Sequence, residues 1–341
     1  MTGRQRFLAA ARMDSVDVTP VWFMRQAGRS LPEYRALRER HDFMTVATTP
    51  ELAARATLMP VDRLGVDAAV LFADIMLPLA CLDVPFEIRP GVGPVIAAPI
   101  RTAADIDRLS LIPAREATPY VLEALHLTRD ALGERAALLG FAGAPFTLAC
   151  YLIEGRPARE FPRAKALMYG EPELWHRLME RLTAVTADYL QAQIAAGADA
   201  VQLFDSWLGL LDPVSHEAMV LPYTRRIFAE VVPLAPTIHF STGTASLLAE
   251  IAGSGCAAVS VDWRLPLDQA WERLGPGVAI QGNLDPALVL APWPAVEAGV
   301  SDVLKRAGGR AGHIFNLGHG ILPESDPDTL ARIVRFVHGE A

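Results

Sequence analysis

Short apolar runs rich in β-branched residues recur along the chain and alternate with longer segments of helical periodicity. The eight runs are TPVWFM (19–24), AAVLFAD (68–74), ALLGFAG (137–143), AVQLFD (200–205), TIHFS (237–241), AAVSVD (257–262), VAIQGN (278–283) and HIFNLG (313–318). The segments between them are amphipathic; in residues 172–197, for example, leucines recur every four positions. Eight strands that alternate with helices predict an α/β fold, a single (β/α)8 TIM barrel that spans residues 1–341.

Two segments depart from this alternation. The segment PFEIRPGVGPVIAAPI (85–100) predicts a small hairpin insertion after the second strand. Residues 136–153 form an uncharged run near membrane-spanning length, but Gly140, Gly143 and Pro145 interrupt it. We interpret this run as a buried strand that continues into a loop. A doubly wound open sheet is the structural alternative, although no GxGxxG motif follows the first strand.

Composition places the chain among globular proteins of a reducing compartment. Of its 341 residues, 51% are hydrophobic and 21% are charged. Cys81, Cys150 and Cys256 are too few and too far apart for a disulfide framework or a CxxC metal motif. The apolar stretch near the N-terminus is too short for a signal peptide. We therefore expect a cytoplasmic protein without a membrane partner.

The charge is acidic overall but unevenly distributed. A net charge of −8 argues against a nucleic-acid partner. Residues 1–40 hold eight Arg against four acidic residues, so they carry +4 and the remaining residues carry −12. Such a basic patch would suit an anionic small molecule. A surface arm with scattered arginines is the alternative.

Several catalytic classes lack their residues. The only lysines, Lys165 and Lys305, lie in helix-like stretches, which makes a Schiff-base mechanism unlikely. HExxH, GxSxG and GxxxxGK[ST] motifs are missing from the sequence. Five histidines are scattered and are interpreted as structural: His41, His126, His176, His216 and His338. His319 differs because glycines flank it at a predicted strand end, where the backbone can approach a ligand.

Polar residues collect at the C-terminal ends of the predicted strands, where a barrel assembles its active site. They are Arg25, Gln26, Asp74, Asp205, Ser206, Ser241, Asp262, Asn283, Asp285, Asn316 and His319. Ordinary turn formation explains Asp262 and Asp285 adequately. It does not explain Arg25 and Arg29, because arginine is not a turn former and the two bracket a glycine in RQAGR.

The segment PVWFMRQAGRSLPEYR (20–35) resembles the uroporphyrinogen decarboxylase family of haem biosynthesis. Further blocks resemble that family in order and spacing: FADIMLPL (72–79), GFAGAPFTLACYLIEG (140–155), QLFDSWLG (202–209), VDW (261–263), QGNLDP (281–286) and FNLGHGILP (315–323). The resemblance implies a (β/α)8 barrel that converts the four acetates of uroporphyrinogen III to methyl groups, giving coproporphyrinogen III and CO2. It implies no metal or organic cofactor and a homodimer. The electron-rich pyrrole, once protonated, can accept the electrons that CO2 leaves behind.

The resemblance also implies the site residues. Arg25 and Arg29 match substrate-binding arginines, and Gln26, Ala27 and Gly28 share their turn. Asp74 matches a central aspartate that accepts pyrrole N–H bonds and stabilises the cationic ring. Tyr151 and His319 match donors to substrate carboxylates or orienters of Asp74, and Ser206 matches a small hydroxyl. Asp74, Arg25, Tyr151 and His319 are the expected catalytic residues.

Alternatives remain for single residues and for the whole protein. The arginines could form structural salt bridges with acids such as Asp74, and Asp74 could cap a helix. The proton donor could be Arg25, Tyr151 or water. Related methyltransferases bind zinc through a His-x-Cys element, but this chain has His239 followed by Ser241. A tetrapyrrole or polyanion carrier without turnover is the non-enzymatic alternative.

Overall fold

The fold of this chain, seen in a computed structural model that describes residues 1–89 and 91–340, is built on a curled parallel sheet. Within those residues seven parallel strands lie side by side in the order in which they occur along the chain. Their bounds are β1 (Ala68–Val70), β4 (Ala137–Gly143), β5 (Ala200–Asp205), β6 (Thr237–Ser241), β7 (Ala258–Ser260), β8 (Ala279–Gln281) and β9 (His313–Ile314). Since all the strands are parallel, their C-terminal ends meet at one rim of the sheet, where loops can form a site.

Helices connect the strands and pack against the sheet. Their bounds are α1 (Gly3–Ala11), α2 (Pro32–Arg38), α3 (Phe43–Thr48), α4 (Pro50–Leu64), α5 (Ala103–Asp107), α6 (Ala114–Ala117), α7 (Pro119–Leu132), α8 (Pro145–Glu154), α9 (Pro162–Gly170), α10 (Pro172–Ala195), α11 (Pro213–Met219), α12 (Leu221–Val231), α13 (Leu248–Ala252), α14 (Leu267–Leu274), α15 (Trp293–Ala307) and α16 (Pro327–Val337). Short 3-10 helices span Leu77–Leu82, Leu208–Leu210 and Pro286–Leu290. In the part of the chain that the structure describes, no helix is both long and apolar enough to cross a membrane.

The first apolar run does not form the predicted strand. Only Val21 makes a parallel bridge, with Phe315 beyond the end of β9. The Phe315 N–H donates to the Pro20 carbonyl at 2.8 Å, and the Asp67 N–H donates to the Val21 carbonyl at 2.8 Å. The segment therefore lies between the two outer strands, β9 and β1. Pro20 has no N–H to donate, and the chain turns away sharply at Arg25, so the ladder stays short.

The two segments that depart from the strand–helix alternation, residues 85–100 and 136–153, contain different secondary structure. The segment in which a hairpin was predicted contains β2 (Glu87–Arg89) and β3 (Gly93–Val95), which pair antiparallel; Pro90 lies outside the described residues. The predicted loop after residue 143 is wrong, because β4 leads directly into the buried helix α8. Pro145 occupies the first turn of that helix, where its missing N–H costs nothing.

The N-terminal arginines do not form one basic patch. Arg6 bonds Asp67 at 2.6 Å and Asp17 at 2.8 Å, while Arg4 pairs with Asp199 at 2.8 Å. Asp67 and Asp199 directly precede the N-terminal ends of β1 and β5, at the opposite end of the sheet from the predicted site. The expected patch is therefore divided, and part of its charge is used to hold the N-terminal helix against the sheet.

Asp67 is the centre of this arrangement. Its buried carboxylate accepts bonds from Arg6, from the Val21 N–H at 2.8 Å and, through His338 Nε2, from the end of α16 at 2.8 Å. One side chain thus connects the first helix, the Val21 bridge and the last helix.

Candidate active site

The RQAGR turn is held from inside by a glutamine. The Gln26 side chain is fully buried; its Oε1 accepts the Phe23 N–H at 3.0 Å and its Nε2 donates to the Ala68 carbonyl at 2.9 Å. The amide therefore fixes the turn to the start of β1. The expectation that Gln26 adds a donor for substrate does not fit this geometry, because its side chain has no access to the cleft.

Arg25 adopts a backbone conformation that is unusual for a residue with a side chain, with φ at 61°. Gly28 permits the tight turn, because a Cβ there would lie 2.6 Å from the Arg25 carbonyl oxygen. Gly320, in the NLGHG loop, lies against the arginine stem, and a Cβ there would lie 2.8 Å from Arg25 Cγ. Ala27 and Gly28 are half-buried parts of the turn. Gly28 thus permits the backbone turn at Arg25, and Gly320 leaves room for the Arg25 side chain.

Arg25 and Arg29 are exposed, and among the described residues neither guanidinium makes a hydrogen bond or an ion pair. The alternative in which they form structural salt bridges with Asp74 is therefore not observed. Two planar cations without a partner at the rim of the sheet can each bind a carboxylate by donating two parallel hydrogen bonds to it.

Asp74 lies on the loop after β1. Its Oδ1 accepts the Met76 N–H at 2.8 Å in a local turn, but the residue before the 3-10 helix Leu77–Leu82 is Met76 and no side chain caps that helix, so the helix-cap alternative for Asp74 is not observed. Gly143 lets β4 approach this loop closely, because a Cβ there would lie 2.7 Å from the Ile75 carbonyl oxygen. Asp74 keeps some contact with water, yet protein surrounds its carboxylate. This burial raises the pKa of Asp74 to about 6, and the Met76 N–H and the positive charge of Arg25 offset the effect only in part.

Tyr151 projects from α8 beside Asp74. Burial raises the pKa of its hydroxyl to about 12, and the negative charge of Asp74 acts in the same direction. Its ring meets Phe161 and Trp207 edge to face, with centroids 5.7 and 6.2 Å away. The Trp207 indole N–H lies close enough to favour the phenolate slightly, but it makes no hydrogen bond among the described residues. Tyr151 is therefore a neutral donor at physiological pH.

Ser206 stands where β5 ends and is half-buried. Its carbonyl accepts the Thr242 hydroxyl at 3.3 Å, which ties the loops after β5 and β6 together. Its position at the C-terminal rim is compatible with the expected hydroxyl role.

His319 ends a row of aromatic rings inside the sheet. Phe141, Phe204 and Phe240 pack in sequence with centroids 5.4 and 5.2 Å apart, and His319 lies 6.0 Å from Phe240. Burial lowers the pKa of His319 to about 4, and the positive charges of Arg25 and Arg264 act in the same direction. The imidazole is thus neutral at physiological pH, at the edge of an apolar surface.

The structure brings the four expected catalytic residues to one rim. The charge of Arg25 acts on Asp74, Tyr151 and His319, and these residues come from four separate loops or helices. A carboxyl of raised pKa, two neutral donors and free arginines thus surround an aromatic surface. Such an arrangement can bind a flat apolar ring that carries several carboxylates, and can stabilise a positive charge on that ring.

Comparison with known proteins places the chain in a family. The family model "Uroporphyrinogen decarboxylase (URO-D)" matches residues 2–340. A Streptomyces griseus protein named uroporphyrinogen decarboxylase is 53% identical over 334 residues, which cover 97% of this chain and 91% of that protein. One from Roseiflexus sp. is 50% identical over 339 residues, covering 98% and 97%. The chain belongs to the uroporphyrinogen decarboxylase family.

This family member also shares its fold with a solved methyltransferase from Methanosarcina mazei. The TM-score is 0.80 at 19% identity, covering 100% of this chain and 99% of that one. At this identity the likeness concerns the fold alone. In residues 1–89 and 91–340 no three His, Cys, Asp or Glu side chains are grouped as metal ligands, and the His239 ring packs on Phe228 at 5.6 Å.

Three of the other polar strand ends of this family member make structural hydrogen bonds. The Asp262 carboxylate accepts the N–H groups of Gly243 and Arg264, at 2.6 and 2.9 Å, and Asp285 caps the 3-10 helix that follows it. Asn316 Oδ1 accepts the Met24 N–H at 3.1 Å, which joins the RQAGR and NLGHG loops. The turn interpretation of Asp262 and Asp285 is confirmed.

Sequence reasoning missed Arg264. This arginine follows β7 and Asp262, and its side chain is 54% exposed at the same rim as His319. Its sequence signal was available, because an arginine two residues after a strand-end aspartate is no better a turn former than Arg25.

Proposed function

We propose that this chain converts uroporphyrinogen III to coproporphyrinogen III by replacing the four acetate carboxyls with hydrogen, releasing four CO2. The observation that carries this proposal is Asp74, a half-buried carboxyl of raised pKa that lies near Arg25 but does not pair with it. A site that only bound carboxylates would gain nothing from a negative charge among its arginines. A site that generates a cationic ring requires one.

Each decarboxylation follows from the electronics of the pyrrole. A proton adds to a ring carbon next to the acetate-bearing carbon and produces an iminium-like cation. The bond to the carboxylate then breaks, its electron pair neutralises the iminium, and CO2 leaves an exocyclic methylene. A second proton adds to the methylene, and loss of the first restores the pyrrole. The net change is one carboxylate and one proton giving one methyl group and CO2.

The residues divide this work by charge. Asp74, ionised at neutral pH, accepts pyrrole N–H bonds and stabilises the cation as it forms. Arg25 and Arg29 bind carboxylates of the substrate and orient it. Tyr151 and His319 stay neutral and donate hydrogen bonds, and Tyr151 or a water molecule supplies the proton. Ser206 and the backbone of Ala27 and Gly28 complete the binding surface.

The remaining expectations form part of the same proposal. The chain is a single (β/α)8 barrel with a hairpin insertion, in which residues 20–22 take the place of the eighth strand between β9 and β1. Hydrogen bonds of these residues to both neighbours support that closure. Trp22 Nε1 also donates to Gln281 at 2.8 Å inside the sheet. The enzyme acts without metal or organic cofactor, as a homodimer, and binds neither nucleic acid nor membrane.

The test is anaerobic incubation of the purified protein with chemically reduced uroporphyrinogen III in the presence of EDTA. The products are oxidised, and chromatography counts their remaining carboxyls. Loss from eight carboxyls to four supports the proposal and its independence of metal. Binding without loss favours the carrier alternative. If neither occurs, the proposal fails and zinc-dependent methyl transfer to thiols is tested next.

A further inference from the structure

Uroporphyrinogen carries eight carboxylates, whereas the RQAGR turn offers two guanidinium groups. Further carboxylates of the substrate could be bound by another arginine at the same rim whose N–H groups are free. Arg264 is such a residue. This step rests on the function proposed above.

The Arg264 side chain is held in place at the rim. Its guanidinium stacks on Trp263, with Cζ 4.2 Å from the ring centroid, and its Nη1 donates to Asp262 Oδ2 at 2.8 Å. The same carboxylate accepts two backbone N–H groups, so its oxygens are well supplied with donors. Nη2 and Nε make no hydrogen bond among the described residues, and the side chain is 54% exposed. A stacked, braced arginine loses less rotational freedom on binding than a free one.

The loop of Arg264 packs directly against the loop of His319. A Cβ on Gly318 would lie 2.9 Å from the Asp262 carbonyl carbon and would also meet the Trp263 nitrogen. Glycine is thus required for the two loops to touch. His319 is the neighbour of Gly318, and the charges of both Arg25 and Arg264 act on its ring. Gly320, on the other side of His319, lies against the Arg25 side chain, so the loops of Arg264 and Arg25 contact the two glycines that flank this histidine.

The topology sets the separation between the two arginines. In the sheet, β8 and β9 lie between β7, which leads to Arg264, and the segment that leads to Arg25. Three strand spacings of roughly 4.8 Å place their starting points about 14 Å apart along the rim. At that separation the two arginines can bind different carboxylates of one substrate.

We propose that Arg264 is a third carboxylate-binding arginine, which binds an acetate or propionate of the porphyrinogen and favours substrates that carry many carboxylates. It binds substrate before and during the reaction alike, so its contribution appears in KM rather than in kcat.

The test replaces Arg264 with Gln in the full-length protein. Loss of one charge-assisted contact should raise KM for uroporphyrinogen III about tenfold or more, with kcat within about twofold of the parent value. The Kd for oxidised uroporphyrin III, measured by tryptophan quenching, should rise in parallel and depend less steeply on salt. Arg264→Lys keeps the positive charge but lacks the planar guanidinium. Its KM and Kd should therefore lie between those of the parent protein and those of Arg264→Gln.

Arg332→Gln is the matched control. Arg332 also stacks on a tryptophan, with Cζ 3.8 Å from the Trp293 centroid, and is exposed, but it lies on α16 away from the rim. Its loss should leave KM, kcat and the Kd for uroporphyrin unchanged.

The outcomes separate this inference from the proposed function. Normal turnover with unchanged KM and Kd in Arg264→Gln overturns the role of Arg264 alone. A lower melting temperature with reduced kcat and unchanged KM also overturns it, because that pattern marks a brace for Asp262. If Arg264→Gln does not fold, Arg264→Lys decides by the same KM and Kd criteria. If the parent protein binds uroporphyrin through Arg264 but releases no CO2, the decarboxylase proposal fails and the binding role stands.

Discussion

Replacing Asp74 with Asn separates catalysis from folding, because the two should change in opposite directions. Asparagine has the same shape and retains an oxygen that can accept the Met76 N–H at 2.8 Å, so the loop after β1 should keep its conformation. What disappears is the negative charge. Since that charge stabilises the iminium-like ring in the proposed mechanism, we expect the turnover of uroporphyrinogen III to fall about 100- to 1000-fold.

Stability should increase in the same variant. Burial raises the pKa of Asp74 from 3.8 to about 6, which means that the folded state resists its ionisation. A pKa shift of two units corresponds to a cost of about 3 kcal/mol for ionising Asp74 in the folded state. Because the side chain keeps some contact with water, we reduce this cost to about 2 kcal/mol. For 341 residues the unfolding entropy is roughly 0.7 kcal/mol per kelvin, so the melting temperature at pH 7.5 should rise by about 3 °C.

The stability gained by Asp74→Asn should depend on pH. A carboxyl whose folded pKa is raised destabilises the protein fully above that pKa, and the penalty disappears as the pH falls from about 6 towards 3.8. The stability advantage of Asp74→Asn should therefore shrink to about half at pH 5. Circular dichroism melts at pH 7.5 and pH 5 measure it, while anaerobic turnover with chromatographic counting of carboxyls measures catalysis.

Asp285→Asn is the matched control for this experiment. Asp285 also follows a parallel strand and also accepts the N–H two residues later, from Ala287 at 2.9 Å, but no part of the proposed mechanism uses it. Its turnover should stay at the parent level. Full turnover by Asp74→Asn would refute the mechanism. A loss of turnover together with a melting temperature below that of the parent protein would also refute it, because that result would indicate a structural role for Asp74.

Three further predictions test other parts of the structure. Gly320→Ala should raise KM about tenfold because the new methyl group displaces the Arg25 side chain. Gly170→Ala, whose methyl group would meet no atom within 4 Å, should leave KM unchanged. Equal KM values for the two variants would contradict the packing of Gly320 against Arg25. Asp67→Asn should lower the free energy of unfolding by about 3 kcal/mol because its buried carboxylate is paired, and a denaturant melt within about 0.5 kcal/mol of the parent would contradict this. His319→Gln should lower kcat/KM about tenfold and leave its pH profile between pH 5 and 8 unchanged, because the pKa of His319 is lowered to about 4; loss of a titration limb in that range would show that the histidine is ionised during turnover.

The strands could be predicted from sequence where burial is complete. The predicted runs 137–143, 200–205 and 237–241 coincide with β4, β5 and β6, which are buried along their whole length. The later runs contain strands shortened to two or three residues, because polar residues at their ends leave the sheet to form loops. The first run fails as a strand because its residues bond as a single bridge before a sharp turn.

Helix α8 shows where periodicity loses its meaning. Residues 145–153 of this helix are all buried, so no polar face marks the 3.6-residue repeat. A proline at its start then favoured a loop, although proline is also favourable in the first turn of a helix. The family resemblance singled out Tyr151, but its place on a helix beside Asp74 required the structure.

The site was predictable at the level of loops but not of side-chain directions. That strand ends meet at one rim follows from parallel topology, which is why residues from four segments could be grouped in advance. Gln26 points inward because of the turn that the backbone of Arg25 makes, and no local pattern of apolar residues reveals a positive φ. Arg264 was not predicted because turn formation already explained Asp262, and the residues that follow Asp262 were therefore not considered further.

The relation between Arg25 and Asp74 indicates what this rim is built for. An arginine with φ at 61° costs about 1 to 2 kcal/mol compared with an ordinary conformation, and a buried carboxylate of raised pKa adds its own penalty. A direct ion pair would reduce the second cost, yet the two groups remain apart, and Gly320 on the neighbouring loop lies against the Arg25 side chain. In the proposed mechanism this separation leaves the cation free to bind a carboxylate and the anion free to accept pyrrole N–H bonds. A substrate that carries both kinds of group satisfies the two charges at once, whereas a simple polyanion would satisfy only the arginine and leave Asp74 opposed to it.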